Sequence, residues 1–246
     1  MSRIELLAVE GLPEVGRGDD LAALIGAACA EPLGAEDLLV VAHKVVSKAE
    51  GSVIDLAEVE PSERAIELAE RQGRDPRQVE VILQQSSEII RDSGDLLICR
   101  THHGLICANA GVDASNSGAD GRLVLLPRDP DASARALRAA LPGHPAVMIT
   151  DSFGRAWRLG QLDVAIGLAG LAPLDDWRGR SDSEGRPLSA TLIAVADQAA
   201  AAADLARTKD SSCPAVIIRG LGRLVSDEDG PGAQALLRPP AEDRFL

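Results

Sequence analysis

The sequence predicts an α+β fold of mixed sheets, packed helices and entwined subdomains, and three observations carry that reading. Apolar strand-like runs alternate irregularly with helical segments, without the regular strand–helix series of a doubly wound sheet. No low-complexity linker or internal repeat separates the chain into independent units, so the 246 residues read as one domain with interleaved parts. There is also no P-loop or Rossmann unit. The GxxxxGK[ST] pattern is missing, and Gly167 and Gly170 have the wrong spacing for a dinucleotide fingerprint, which makes them small residues for close packing.

The elements follow in order. Ile4 to Val9 is a strand, and Gly18-Asp19-Asp20 opens a helix to about Cys29, with the acids suited to its N-terminus. Asp37 to Val46 is a strongly apolar strand running into Ser47-Lys48. Ser62 to Arg71 and Pro76 to Gln85 have helical spacing, with Pro61 and Pro76 where helices begin. Leu96 to Arg100 and Leu105 to Ala108 flank Thr101-His102-His103-Gly104 as a hairpin. Asp131 to Leu141 is a helix, Ala146 to Thr150 a strand, and Thr191 to Val195 a strand joined to an Ala-rich helix ending near Ala206. Pro214 to Gly220 is a further buried strand. The tail over 226–246, rich in charge, Gly and Pro, is expected to be partly loose.

Composition narrows the function. Hydrophobic residues make up 46% of the chain but aromatics only 2%, so the core is built from Ala, Val, Leu and Ile, and no platform for stacking nucleic-acid bases exists. A formal net charge of −13 also argues against a nucleic-acid partner. Cys29, Cys99, Cys107 and Cys213 form no CxxC pair and read as buried free thiols. With no signal peptide and no membrane-spanning run, a cytoplasmic protein without a membrane partner is expected.

The chemistry concentrates in two places. Residues 109–116, Asn-Ala-Gly-Val-Asp-Ala-Ser-Asn, place Asp113 and Asn116 in a turn after an apolar run. Asp151 and Ser152 follow a second apolar run at what reads as a strand exit. A lone Asp after a strand is ordinarily a turn or cap residue. Two such carboxylates from different strand ends can instead share a hard divalent cation, which takes oxygen ligands and bridges to phosphate. Arg155 and Arg158 suit an anionic ligand, although a surface salt bridge is the plainer role for each. His102 and His103, at a turn with no ligand-spaced acid or cysteine, are not expected to act in catalysis.

NAGVDASN (109–116), ITDSFGRAWRLGQLDVAIGLAGL (149–171), GLPEVGRGDDL (11–21) and VVAHKVVSKAEG (40–51) resemble the four signature blocks of the coenzyme F-420-0:L-glutamate ligase family. The blocks keep the family's order, and the similarity runs on to VIIRGLGRLV (216–225). The resemblance implies a ligase that uses GTP to activate a carboxylate of F-420-0 as an acyl phosphate and then couples L-glutamate. It also implies a homodimer, a divalent cation (Mn²⁺ or Mg²⁺, as a pair) and K⁺ as a further candidate ion. By the same resemblance, Leu12, Pro13, Glu14, Val15, His43, Lys44, Lys48 and Asn116 contact GTP, with Lys48, Asp113 and Asp151 catalytic. Asp113, Asp151 and Ser152 are the metal ligands, Ser152 standing where many members have Thr. Arg155 and Arg158 would bind the acceptor. Residues 207–213 depart from the family, with Thr208 in place of a usual Gly; Lys209 and Ser211 are the phosphate contacts expected there. Two alternatives stand beside this: a ligase on a different deazaflavin or carboxylate, and a non-catalytic nucleotide- or deazaflavin-binding module. Retention of Asp113, Asp151 and Lys48 favours catalysis.

Overall fold

The computed structural model describes residues 3–115, 121–207 and 211–243. Its elements, in chain order, begin with β1 (Glu5–Val9), α1 (Leu21–Ala28), β2 (Leu38–Ala42), α2 (His43–Glu50) and β3 (Val53–Asp55). They continue through α3 (Glu63–Gln72), α4 (Pro76–Gln84), β4 (Ser86–Asp92), β5 (Leu97–Thr101), β6 (Ile106–Ala108) and β7 (Arg122–Val124). The remainder is α5 (Pro130–Ala140), β8 (Ala146–Arg155), β9 (Arg158–Ala169), β10 (Asp175–Asp176), β11 (Leu192–Ile193), α6 (Val195–Ala206) and β12 (Ala215–Arg219). The α+β class expected from the sequence is the one observed.

The main sheet has the order β1-β12-β2-β8-β9. Only β2 and β8 run parallel, Leu38 to Ala42 matching Ala146 to Thr150; the other three pairings are antiparallel. Strand side chains alternate between faces, and here both faces are covered. Leu39, Val41, Val147, Ile149 and Ile217 pack towards residues of α1 and α5. Leu38, Val40, Met148, Val216 and Ile218 pack against Ala196, Ala199, Ala200 and Ala203 of α6. The alanine face lets α6 lie close to the sheet, and both layers make the central strands continuously apolar. Truncating Leu39 to Ala would cost about 2–5 kcal/mol through lost burial and the cavity left behind.

The segment between α2 and α5 builds a second core of its own. The antiparallel sheet β4-β5-β6 packs on α3 and α4 through Leu97, Cys99, Ala65, Leu68, Val79 and Ile82. The short pair β3–β7 closes it with Leu56, Val81 and Leu123. Helix starts follow the caps in the sequence: Asp20 accepts from the Ala23 amide, Ser62 from Ala65, and Asp75 from Arg77 ahead of Pro76. Gly167 and Gly170 do serve close packing: a Cβ on Gly167 would stand 2.3 Å from the Pro130 carbonyl oxygen, and one on Gly170 would meet Arg138. All four cysteines are free; three are buried and Cys29 is half-buried.

Two expectations need correction. The strand predicted to run to Val46 stops at Ala42, and α2 starts at His43. Its helical spacing buries His43, Val46 and Ser47 on one side, a pattern that the β-branched valines conceal. Asp151 is not at a strand exit, because β8 continues to Arg155 and pairs with β9 in a long hairpin. In the tail expected to be partly loose, several groups are held by side chains of α5. Arg138 donates to Asp229 and to the Ser226 and Asp227 carbonyls, and Asp131 accepts from the Ala233 amide.

Candidate active site

The parallel pair β2–β8 sets the geometry. Parallel neighbours end at the same edge of a sheet, and the crevice beyond such carboxyl ends is the usual place for a ligand in open sheets. Ala42 and Thr150 face each other at that edge. The next residues are therefore brought side by side: His43, opening α2, and Asp151, continuing β8. His43 Nε2 lies 3.3 Å from Asp151 Oδ1. That ring nitrogen is buried and makes no hydrogen bond among the described residues.

A cavity of about 680 Å³ opens here, within the usual range for a small-molecule site. Six segments wall it: Leu12-Pro13-Glu14-Val15 after β1, α2 from its start to Lys48, the turn carrying Asp113 and Ser115, the β8–β9 hairpin, Asp204 and Arg207 at the end of α6, and Ser212-Cys213-Pro214 before β12. Every cation that α2 presents is held by an acid from elsewhere in the chain. Lys44 Nζ lies 2.7 Å from Asp113 Oδ2 and donates to Ser115 Oγ at 2.6 Å. Lys48 Nζ donates to Glu14 Oε1 at 2.5 Å. Asp113 itself is fixed by its backbone pairing with Val124.

Burial is the largest influence on the Asp113 carboxyl and pushes its pKa up. Hydrogen bonds from Lys44 and from the Ser115 amide, with the Lys44 charge, outweigh it and hold the pKa below the ordinary value. Asp113 is therefore ionised at neutral pH. Burial, and then the charge of Asp151, push the Cys107 thiol up to about 12, so it is no nucleophile at neutral pH.

The first turn of α2 adds to the site. Its cap residue, Ala42, offers no side-chain hydrogen bond, and Ala42, His43 and Lys44 all line the cavity. Uncapped amides at a helix start carry the positive end of the helix dipole and suit an anion. The wall thus combines oxygen donors for a hard cation with a cationic helix start for phosphate.

Most of the expected residues meet in this cavity: Leu12, Pro13, Glu14, Val15, His43, Lys44, Lys48, Asp113, Asp151 and Ser152. Asn116 and Lys209 lie outside the described residues, as does Thr208. Ser211 is not part of the wall, though its Oγ accepts from the Cys213 amide at 3.3 Å beside it. Arg155 and Arg158 are likewise absent from the wall. They flank the hairpin tip, where Arg155 donates to the Leu159 carbonyl. His102 and His103 contact the backbone carbonyls of Gln84, Pro127 and Arg128, as structural histidines do.

Thr150, Asp163 and Arg207 were missed. Asp163 stands opposite Ser152 in the hairpin register and is only 2% exposed. Its Oδ1 accepts from Ser152 Oγ and its Oδ2 from Thr150 Oγ1, both at 2.7 Å. Arg207, at the end of α6, donates to Asp163, to Thr150 Oγ1 at 2.7 Å and to the Pro214 carbonyl at 3.2 Å. The available signal was one acid inside the otherwise apolar run from Leu162 to Ala169.

The oxygen donors of Asp113, Asp151 and Ser152 fit a hard divalent cation. Among the described residues no three His, Cys, Asp or Glu side chains converge as a metal cage. A cation there would complete its shell with phosphate and water, as Mg²⁺ commonly does.

Comparison with known proteins identifies the family. Residues 11–220 match the family described as F420-0:Gamma-glutamyl ligase. The coenzyme F420:L-glutamate ligase of Methanothermobacter thermautotrophicus is 50% identical over 98% of both chains. The protein of the same name from Methanopyrus kandleri is 46% identical over the full length of both, and that of Natronomonas pharaonis 44% identical over 98% of this chain and 94% of its own.

Proposed function

Because the chain belongs to the F420-0:Gamma-glutamyl ligase family, we propose that it couples L-glutamate to a carboxylate of F-420-0 by an amide bond, at the expense of GTP. The observation that carries this reading is the single cavity in which the α2 cations meet Asp113 and Asp151.

A carboxylate is a poor electrophile, so amide synthesis needs a better leaving group. In the first step an F-420-0 carboxylate oxygen attacks the γ-phosphorus, the bond to the β-bridging oxygen breaks, and GDP leaves an acyl phosphate. In the second, the glutamate α-amine attacks the acyl carbon, phosphate departs and the nitrogen loses a proton. Catalysis of such phosphoryl transfer is mostly positioning and charge neutralisation. Lys48, now held by Glu14, serves as a point cation on the phosphates. The opening turn of α2, with His43 and Lys44, receives the phosphate anion, and Leu12 to Val15 form the wall along the nucleotide. Asp113, Asp151 and Ser152 are the residues to hold Mn²⁺ or Mg²⁺, which when bound would neutralise charge on the phosphate oxygens.

Binding then exchanges partners. The acids that now face Lys44 and His43 turn to the cation, while the lysines turn to phosphate. Arg155 and Arg158, outside the cavity wall, are assigned to the acceptor. We also read the chain as a homodimer, supported by the hairpin tip, where Trp157 is 75% and Leu159 97% exposed. Light scattering that returned a mass near 25.7 kDa at micromolar concentration would exclude the dimer.

Mass spectrometry tests the activity. Incubating F-420-0 with the protein, GTP, Mn²⁺ and L-glutamate should yield a glutamyl adduct with stoichiometric GDP, and omitting GTP should abolish both. GTP–metal binding without any adduct would replace the ligase by a binding module.

A further inference from the structure

We propose that Asp163 is the positioning residue of this site, acting through Ser152, with Arg207 as the counter-charge that keeps it in place. The inference rests on the metal-dependent reading above. Its own observation is the use of the two carboxylate oxygens: Oδ1 accepts the Ser152 hydroxyl, and Oδ2 accepts the Thr150 hydroxyl and the Arg207 guanidinium.

A hydroxyl has one proton and two lone pairs. With its proton directed at Asp163, Ser152 acts towards any other partner as an oxygen acceptor, the role a hard cation requires. The nearby anion also makes that oxygen a better donor to a cation. Carboxylates behind a metal ligand have this effect widely, and their loss lowers metal affinity or activity by about 10–100-fold. Thr150 completes the lock. Its hydroxyl donates to Asp163 and accepts from Arg207, so neither side chain can turn without breaking two bonds.

The surroundings explain why the pair is charged. Asp163 and Arg207 are both buried in the cavity wall, where an unpaired charge would be costly. Arg207 draws together the end of α6, strands β8 and β9, and the Pro214 carbonyl before β12. The same guanidinium that balances Asp163 therefore fixes the first residue of the 207–213 segment relative to Ser152. A purely structural pair would serve as well with its oxygens turned towards backbone amides, as Asp131 shows with the Leu168 and Ala233 amides.

The test measures Mn²⁺ affinity by electron paramagnetic resonance with GTP present and F-420-0 omitted, so no turnover enters. Asp163→Asn should weaken Mn²⁺ binding by about 10–100-fold, and in a Ser152→Ala background the same change should cost less than twofold further, because the carboxylate would have nothing left to orient. If Asp163→Asn does not fold, Asp163→Asn/Arg207→Gln removes both buried charges together and is read the same way. Mn²⁺ affinity within twofold of wild type in the folded variant, or an equal loss with and without Ser152, would overturn the proposal. Wild-type adduct formation is scored separately, so failure of the ligase reading is distinguishable from failure of this one.

Discussion

Two clusters of charge in this molecule use similar residue types and hold them differently. In the first, Asp131 accepts from the backbone amides of Leu168 and Ala233, and Arg138 donates to the Ser226 and Asp227 carbonyls as well as to Asp229. Partners of that kind belong to the main chain and cannot leave without unfolding it. In the second, Lys44 meets Asp113, His43 meets Asp151 and Lys48 meets Glu14, all side chain to side chain along one cavity. Each of those pairs can open by rotating bonds alone. Charges held by backbone fasten the fold, whereas the single-contact pairs of Lys44, His43 and Lys48, unlike the multiply bonded Asp163–Arg207 pair, remain exchangeable for a ligand.

The comparison is broken most directly by neutralising one acid in each cluster. Asp113→Asn or Asp151→Asn should reduce turnover on the order of 10²–10³-fold or more, with a melting temperature close to wild type. Asp131→Ala should do the reverse. Stranding the Leu168 and Ala233 amides costs about 2–4 kcal/mol, with kcat of the folded protein retained. Thermal melts and initial rates on the same preparations read both; a large loss of stability in Asp151→Asn would erase the distinction.

A smaller effect sharpens the idea of exchange. Lys44→Met removes the cation that competes for Asp113, so Mn²⁺ alone should bind roughly two- to fivefold more tightly, while GTP affinity falls. Titration of each ligand separately would show it, and parallel losses of both would count against exchange.

The smallest effect concerns pH. Asp113 has its pKa held below the ordinary value by Lys44 and Ser115 against the opposing effect of burial. A depressed carboxylate contributes stability above its unfolded pKa and loses it as pH falls through the folded one. Metal-free wild type should therefore exceed Asp113→Asn in stability by a small margin at pH 7, with the gap closing as pH falls below the ordinary carboxylate range and through the depressed folded pKa. Paired melts down the pH scale would reveal an unchanging gap if the Lys44 pair were irrelevant.

The sequence made the central strands legible because both faces of the sheet are buried, which leaves uninterrupted apolar runs at Leu38 to Val41 and Ala146 to Ile149. It hid α2, because Val45 and Val46 resume the strand's β-branched pattern past His43-Lys44 although the chain has already turned into an eight-residue helix. Strands β3 and β7, of three residues each, are too short to show a period. Within the site, Asp113 and Asp151 stood out at the ends of apolar runs, and the family blocks supplied His43, Lys44 and Lys48. Asp163 could not be placed without the β8–β9 register, which alone sets it opposite Ser152. Arg207 joins the site only through tertiary packing of α6 on the sheet.

The central claim is that α2 and the two aspartates form one charge-balanced site for a cation and a nucleotide together. Calorimetry of GTP binding to wild type, with Mn²⁺ and with Mn²⁺ removed by chelation, tests it most directly. Uncompensated, Asp113 and Asp151 repel the phosphates, so the account predicts affinity at least about tenfold weaker without the metal, a difference of roughly 1.4 kcal/mol. Equal GTP affinity with and without Mn²⁺ would contradict it.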